Sequence, residues 1–220
     1  MNKTWLYVFD MDGVILNSLD KLSKCLIEAV KPFCQSESHF REFALFDETN
    51  PGLSRFEKAD YFVNHLLSSD HLSTEKVKVE ILQRFQSLSL EARLTSEVED
   101  SVYDLPKTIK PNNLILLSNC DNEQLKVIDV NFGFHQIFKA GIVGTPPSKK
   151  HRFSEIIQVF NRSDVVSVSD SESDAVIARE FGAKFAFIQN FARDDAPWLL
   201  HDEYRFNSIG DFLVNLETLD

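Results

Sequence analysis

Four short apolar runs limit the folds open to this chain more than any other feature of its sequence. They span residues 5–9, 114–117, 165–168 and 185–188. Each run is continuously apolar and rich in β-branched or aromatic side chains. That composition is typical of strands in a parallel sheet that is covered on both faces. We therefore expect these four segments to be buried strands.

Helical periodicity lies between the predicted strands. Leu125, Ile128 and Phe132 share one helical face, and Gly133 follows as a stop signal. Two more stripes are Phe153, Ile156, Ile157 and Phe160, then Ala175, Ala178 and Phe181. Strands that alternate with helices predict right-handed crossovers. The expected fold class is α/β, a doubly wound, Rossmann-like parallel sheet.

One long stretch breaks this alternation, because it carries helical patterns only. Its faces include the stripe Leu19, Leu22, Leu26 and Val30. This pattern predicts an all-helical domain inserted after the first strand. The predicted core domain is then 1–15 together with 94–220, and the predicted helical cap domain is 16–93.

Charge and cysteine content narrow the class of protein. The formal net charge is -11, which disfavours nucleic acid and anionic membranes as partners. There are three cysteines, without a CxxC pair, so neither a disulfide framework nor a zinc site is expected. Asp10 and Asp12 interrupt the N-terminal apolar run, which argues against a signal peptide or a membrane span. A cytoplasmic protein is the simplest expectation.

Three of the predicted strands end in polar clusters. The clusters are Asp10 with Asp12, Ser118 with Asn119, and Asp170 with Asp174. Ligands of open α/β sheets bind at the carboxyl ends of the strands. One cluster alone could be ordinary loop polarity, but three at the same topological position predict a shared site.

The carboxylates of these clusters would repel one another without a cation among them. Oxygen ligands without His or Cys favour Mg²⁺. Lys149 and Lys150 stand at the start of the second helical stripe, where a lysine can neutralise a phosphate group. Phosphoryl transfer requires mainly positioning and charge stabilisation, and these groups supply both.

The residues that carry this chemistry also resemble a known family. Residues 9–14, Phe-Asp-Met-Asp-Gly-Val, closely resemble the first motif of the haloacid dehalogenase (HAD) superfamily. Ser118, residues 144–149 and residues 170–174 resemble the second, third and fourth motifs. A helical insert after the first motif is similar to the cap of phosphoglycolate phosphatase and beta-phosphoglucomutase-like phosphatases.

The resemblance implies a catalytic role for each matching residue. Asp10 would attack phosphorus and form an aspartyl-phosphate. Asp12 would protonate the leaving oxygen and then activate water. Ser118 and Lys149 would bind the transferring phosphoryl group, and Asn119 is a candidate to contact the substrate. The Pro-Pro-Ser-Lys spacing favours Lys149, with Lys150 as the alternative.

The resemblance also implies a metal site. The Asp10 carboxylate, the Asp12 backbone carbonyl and Asp170 would hold Mg²⁺, and Asp174 would ligate or support it. One departure from the family pattern is Ser169, which stands where many relatives have glycine. Asn17 is a second departure, in place of a common aspartate.

The predicted cap carries one clue to the substrate. Residues 52–58 resemble the specificity loop of beta-phosphoglucomutase and related sugar-phosphate phosphatases, so Arg55 could bind a second anionic group. The alternative is that Ser54 caps a helix while Arg55 and Lys58 are solvated.

The sequence therefore predicts a Mg²⁺-dependent phosphatase for a small phosphorylated molecule, such as a sugar phosphate or a short phospho-acid. A phosphomutase that uses the same residues, and a catalytically idle binding protein, remain alternatives. A monomer or a homodimer is expected.

Overall fold

The computed structural model describes residues 5–50, 53–67, 71–160 and 164–219, and at 71–73 the backbone alone. Gly52, the first residue of the predicted specificity loop, lies outside this range. The chain divides into two compact units. One comprises Met1–Ser18 and Ser96–Asp220, and the other comprises Leu19–Thr95.

The first unit is built on a six-stranded sheet in which the paired strands are parallel. The strands are β1 (Leu6–Phe9), β2 (Leu114–Asp121), β3 (Gly141–Thr145), β4 (Val165–Ser169), β5 (Lys184–Ile188) and β6 (Tyr204–Phe206). Their order is β3-β2-β1-β4-β5-β6. The order reverses at β1, which lies between β2 and β4, and this is where open α/β sheets bind ligands.

Both faces of the sheet are covered, which explains why the central strand β1 is apolar throughout. Leu6 and Val8 of β1 pack in one cluster with Phe153. Tyr7 and Phe9 meet the ring of Phe212 at centroid distances of 5.7 and 5.6 Å. The predicted α/β fold class is confirmed, and each of the four predicted strands is present. Strands β3 and β6 were not predicted.

Five α-helices of this unit are described. They are α5 (Leu105–Thr108), α6 (Asn122–Phe132), α7 (Lys149–Val159), α8 (Glu172–Phe181) and α9 (Ile209–Val214). Gly133 ends α6 at φ 71°, and Gly182 ends α8 at φ 69°, so both take the left-handed conformation that favours glycine. The helical stripes that were predicted for α6 and α8 are present. The α7 stripe is present up to Ile157, but Phe160 is the extended C-cap residue just beyond the helix.

The second unit is helical over its described residues. It contains α1 (Leu19–Val30), α2 (Glu37–Thr49), α3 (Arg55–Tyr61) and α4 (His71–Leu94), and a π-helical turn, Phe62–Leu66, follows α3. Phe43, Phe62 and Ile81 are at its core. The ring of Phe43 meets that of Phe62 edge-on at 5.5 Å.

A buried ion pair lies within this helical unit. Lys58 Nζ is 2.8 Å from Asp47 Oδ1, and their side chains are 7% and 1% exposed. Ser23 donates a hydrogen bond to the other oxygen of Asp47. Lys58 is therefore not solvated, contrary to the alternative considered above, because it neutralises a carboxylate that the helices bury.

Candidate active site

Asp10 follows β1 directly, and the backbone of the neighbouring strand fixes its position. Its N–H donates to the carbonyl of Val168 at 2.9 Å. The N–H of Met11 donates to Asp10 Oδ1 at 2.7 Å. These contacts place the carboxylate at the carboxyl edge of the sheet, at the strand where the order reverses.

Gly13 makes room for Asp170 in the turn after Asp10. Its φ is +87°, and a Cβ built there would stand 2.3 Å from Asp170 Oδ2. A side chain at this position would therefore be strained and would also collide with the Asp170 carboxylate. Glycine thus brings the β1 turn and the acidic group after β4 close together.

Lys149, the first residue of α7, lies between two carboxylates. Its Nζ is 2.9 Å from Asp10 Oδ2 and 2.6 Å from Asp174 Oδ2, and its side chain is 8% exposed. Lys150 instead pairs with Glu180, and its side chain is 54% exposed. Consecutive residues of a helix point in different directions, so α7 turns one lysine inward and the other to solvent.

Burial and charge strongly perturb the ionisation of this group. Burial raises the pKa of Asp10 to about 7, and the charge of Lys149 opposes that rise. Burial also raises the pKa of Asp170, which the charges of Asp10 and Asp174 raise further. Burial alone would lower the pKa of Lys149, but Asp10 and Asp174 outweigh it and raise that pKa above its ordinary value.

Ser169 and Asp174 complete the buried polar network. The Ser169 hydroxyl donates to Asp174 Oδ2 at 2.5 Å, so this oxygen interacts with both Ser169 and Lys149. Ser171 is the N-cap of α8, and its hydroxyl accepts a hydrogen bond from the backbone N–H of Asp174 at 3.3 Å. From sequence, Ser169 stood out only as a departure from glycine. The only sign in the sequence that Ser169 belongs to the site was that serine carries a hydroxyl group where glycine has none.

The Asp12 side chain is held by a residue that follows it in the turn after β1. The buried hydroxyl of Ser18 donates to Asp12 Oδ1 at 2.6 Å. Asp12 is half-buried and close enough for its charge to raise the pKa of Asp10. Ser18 was not a sequence candidate, because its role depends on the chain turning back at Leu16, whose carbonyl accepts from Gly13 N–H at 2.9 Å.

Ser118 and Asn119 lie on β2, which extends beyond its predicted end. Ser118 is fully buried, and its hydroxyl accepts a hydrogen bond from the N–H of Cys120 at 3.0 Å. Asn119 is exposed. The register pairs Phe9 of β1 with Leu116 of β2, so Ser118 and Asp10, which directly follows β1, lie at the same edge of the sheet.

The donor chemistry of the site fits Mg²⁺. Within the described residues, no three His, Cys, Asp or Glu side chains are grouped as a ready metal site. However, Asp10 and Asp170 are half-buried oxygen donors with raised pKa values, and a divalent cation beside them would favour their charged forms. Together with the Asp12 carbonyl they could supply the few hard ligands that Mg²⁺ takes beside water and phosphate.

Arg55 belongs to the helical unit and begins α3. Ser54 caps this helix in a reciprocal box with Glu57, as the alternative interpretation of the sequence proposed. The Arg55 guanidinium lies 4.5 Å from the ring centroid of Phe56 and 5.8 Å from that of Phe85. These stacking contacts hold the charged group over aromatic rings within the unit.

The fold that carries this site is that of haloacid dehalogenase-like hydrolases, as comparison with solved structures shows. A hydrolase of the haloacid dehalogenase-like family from Streptococcus pneumoniae is 15% identical, with a TM-score of 0.71, over 98% of this chain and 100% of its own. A protein described as a predicted phosphoglycolate phosphatase, from Haemophilus somnus, is 18% identical, with a TM-score of 0.71, over 98% of this chain and 99% of its own.

A third similar structure is CbbY from Rhodobacter sphaeroides in complex with phosphate, 14% identical, with a TM-score of 0.67, over 96% of both chains. No protein-family model matches the sequence, and no curated protein matches it. Among the described residues, no helix is both long and apolar enough to cross a membrane.

Proposed function

We propose that this protein is a Mg²⁺-dependent phosphatase that hydrolyses a small phosphate monoester through an aspartyl-phosphate on Asp10. The observation that carries the proposal is the Lys149 ammonium, which lies 2.9 Å from Asp10 and 2.6 Å from Asp174 at the carboxyl edge of the sheet. A fixed cation beside a nucleophilic carboxylate is what an incoming phosphoryl group requires. The similar folds described as phosphatases support the same class of reaction.

In the first half of the reaction, an Asp10 carboxylate oxygen attacks phosphorus and the bond to the ester oxygen breaks. Asp12 gives its proton to the departing alkoxide. The Ser18 hydroxyl, 2.6 Å from Asp12 Oδ1, orients the acid for this transfer. Lys149 stabilises the negative charge on the phosphoryl oxygens, and Ser118 is the second proposed phosphoryl-binding group.

In the second half, Asp12 takes a proton from water as the water oxygen attacks phosphorus. The bond between Asp10 and phosphorus breaks, inorganic phosphate leaves, and the Asp10 carboxylate returns. Bound Mg²⁺ would be held by Asp10, Asp170 and the Asp12 carbonyl, with Asp174 in support. It would supply positive charge that keeps the carboxylates ionised and offsets the charge of the phosphate.

For the substrate we propose a sugar phosphate or a short phospho-acid, with Asn119 and Arg55 as contacts for its remaining polar groups. The resemblance of residues 52–58 to the specificity loop of sugar-phosphate enzymes supports this choice. Because the same segment also resembles the loop of beta-phosphoglucomutase, phosphomutase activity is a second candidate. In that reaction Asp10 would pass its phosphoryl group to a sugar hydroxyl instead of water.

A panel of phosphorylated metabolites and p-nitrophenyl phosphate, each assayed with Mg²⁺, tests this proposal. We expect phosphate release by the wild type and loss of at least about 99% of the turnover in Asp10→Asn, because an amide is a poor nucleophile. Circular dichroism should show that the variant remains folded. Substantial activity in Asp10→Asn would refute the assignment of the nucleophile. Turnover of a sugar phosphate to an isomer without phosphate release would favour the mutase.

A further inference from the structure

The Ser169 hydroxyl lies among the charged groups of the site, although this position is glycine in many proteins of similar motif. Ser169 ends β4 and is 1% exposed. Its oxygen is 2.5 Å from Asp174 Oδ2 and 3.4 Å from Asp10 Oδ2. One small side chain therefore contacts Asp174 and approaches Asp10, the two carboxylates that Lys149 also joins.

The direction of the Ser169 hydrogen bond follows from its neighbours. The N–H of Ser171 donates to the Ser169 oxygen at 3.4 Å, which uses one acceptor position. The single hydroxyl proton can then point to either carboxylate, and Asp174 is nearer by 0.9 Å, the difference between 3.4 and 2.5 Å. Ser169 thus donates to the Asp174 oxygen that also accepts from Lys149 at 2.6 Å.

A carboxylate held by only one flexible lysine could rotate and take that lysine with it. The hydroxyl comes from the end of a buried strand, so it is a rigid donor, whereas the lysine ammonium is at the end of a four-carbon chain. We propose that Ser169 is a positioning residue for the transfer site, in which its hydroxyl fixes Asp174 and thereby holds the Lys149 ammonium against Asp10.

The catalytic consequence rests on the proposed function of the site. If Lys149 stabilises the transition state, a displacement of its ammonium by about 1 Å costs on the order of a hundredfold in rate. Substrate binding tolerates such a shift better than the transition state does. The loss should therefore appear in kcat more than in KM.

Three variants test the proposal by kinetics with p-nitrophenyl phosphate and Mg²⁺. Ser169→Ala should lower kcat about tenfold to a hundredfold, as expected for loss of a charge-assisted hydrogen bond, with KM changed less than about threefold. Ser169→Thr keeps a hydroxyl on the same Cβ and should recover most of that loss. Ser167→Ala is the matched control, because Ser167 is also buried on β4 and its hydroxyl bonds to none of Asp10, Lys149 and Asp174 among the described contacts.

The second measurement is the ¹H–¹⁵N signal of the Lys149 ammonium in the resting protein, assigned by its absence in Lys149→Gln. An ammonium fixed between two carboxylates should exchange slowly and give a resolved signal in the wild type and in Ser167→Ala. In Ser169→Ala it should broaden or shift. This measurement tests positioning even if no phosphate ester is turned over, so it separates failure of this inference from failure of the proposed function.

An unchanged Lys149 signal in Ser169→Ala would overturn the proposal. So would kcat within about threefold of wild type, or equal losses in Ser169→Ala and Ser167→Ala. If Ser169→Thr does not fold because of its added methyl group, the signal in Ser169→Ala still decides between a positioning role and a merely structural one.

Discussion

Replacement of Lys149 by glutamine should destabilise the sheet-containing unit as well as slow the reaction. The variant keeps a long polar side chain but leaves Asp10 and Asp174 without their shared cation. Those side chains are only 12% and 5% exposed, so solvent compensates little for the loss. Removal of one partner from a buried ion pair costs about 3–5 kcal/mol, and we expect a loss in this range near pH 8.

The cost should depend on pH, because Asp10 has a pKa of about 7 in the folded wild type. Above that pH wild-type Asp10 is ionised and attracts Lys149. Without Lys149 the pKa of Asp10 rises further, so the folded variant still binds a proton there. The variant then loses stability relative to wild type by about 1.4 kcal/mol for each pH unit above 7. Below pH 7 both folded proteins hold the proton on Asp10, so the difference in stability levels off.

Urea unfolding at pH 6, 7 and 8, without added metal, measures both effects. The two tryptophans, Trp5 and Trp198, belong to the sheet-containing unit, so their fluorescence reports on it. The matched control is Lys150→Gln, which breaks the half-exposed pair with Glu180 and should change stability by less than about 1 kcal/mol at each pH.

Three results would refute this reasoning. A cost below about 1 kcal/mol for Lys149→Gln would mean that the pair is solvated in solution. A cost that does not grow between pH 7 and 8 would mean that Asp10 does not titrate there. Equal effects of Lys149→Gln and Lys150→Gln on stability and on kcat/KM would remove the basis for choosing Lys149 as the phosphoryl-binding lysine.

Two further predictions concern the metal and the helical unit. Mg²⁺ should displace a proton from Asp10, so calorimetry should show the apparent affinity for Mg²⁺ falling up to about tenfold per pH unit below pH 7. A chelator should stop turnover, and added Mg²⁺ should restore the activity, whereas Ca²⁺ should restore it poorly. Full activity in the chelated protein would exclude a metal role. Arg55→Ala should lower kcat/KM about tenfold to a hundredfold for a substrate with a remote anionic group, but much less for p-nitrophenyl phosphate. The control is Arg84→Ala, which replaces an exposed arginine of the same unit. Equal losses on both substrates in Arg55→Ala would show that Arg55 only supports the packing of Phe56 and Phe85.

Prediction from sequence was strongest where burial produces a continuous local pattern. Strands β1, β2, β4 and β5 are apolar runs because helices cover both faces of the sheet. Strands β3 and β6 lie at the two edges of the sheet and escaped prediction. β3 contains Gly141 and Gly144 and is only partly buried, and β6 spans three residues, so neither leaves a clear apolar run.

The buried ion pair of the helical unit shows a second limit of local patterns. Lys58 and Asp47 lie eleven positions apart on different helices, and each has the composition of a solvated surface residue. Only the packing of α2 against its neighbours removes both from water. Capping by Ser54 was accessible from sequence, because the capping box joins residues three positions apart.

Some features of the candidate site could likewise be predicted from sequence, and others could not. By itself the sequence determined which acidic clusters follow strands, and parallel strands must bring their carboxyl ends to one edge, so Asp10 and Asp170 could be grouped before any coordinates. Tertiary structure decided how the grouped side chains meet. The orientation of α7 about its axis buries Lys149 rather than Lys150, and the position of Ser169 at the end of β4 brings its hydroxyl within hydrogen-bonding distance of Asp174. The physical reason is that a buried strand and the polar residues that follow it leave a local pattern in the sequence, whereas contacts of 2.5–2.9 Å depend on how neighbouring elements pack.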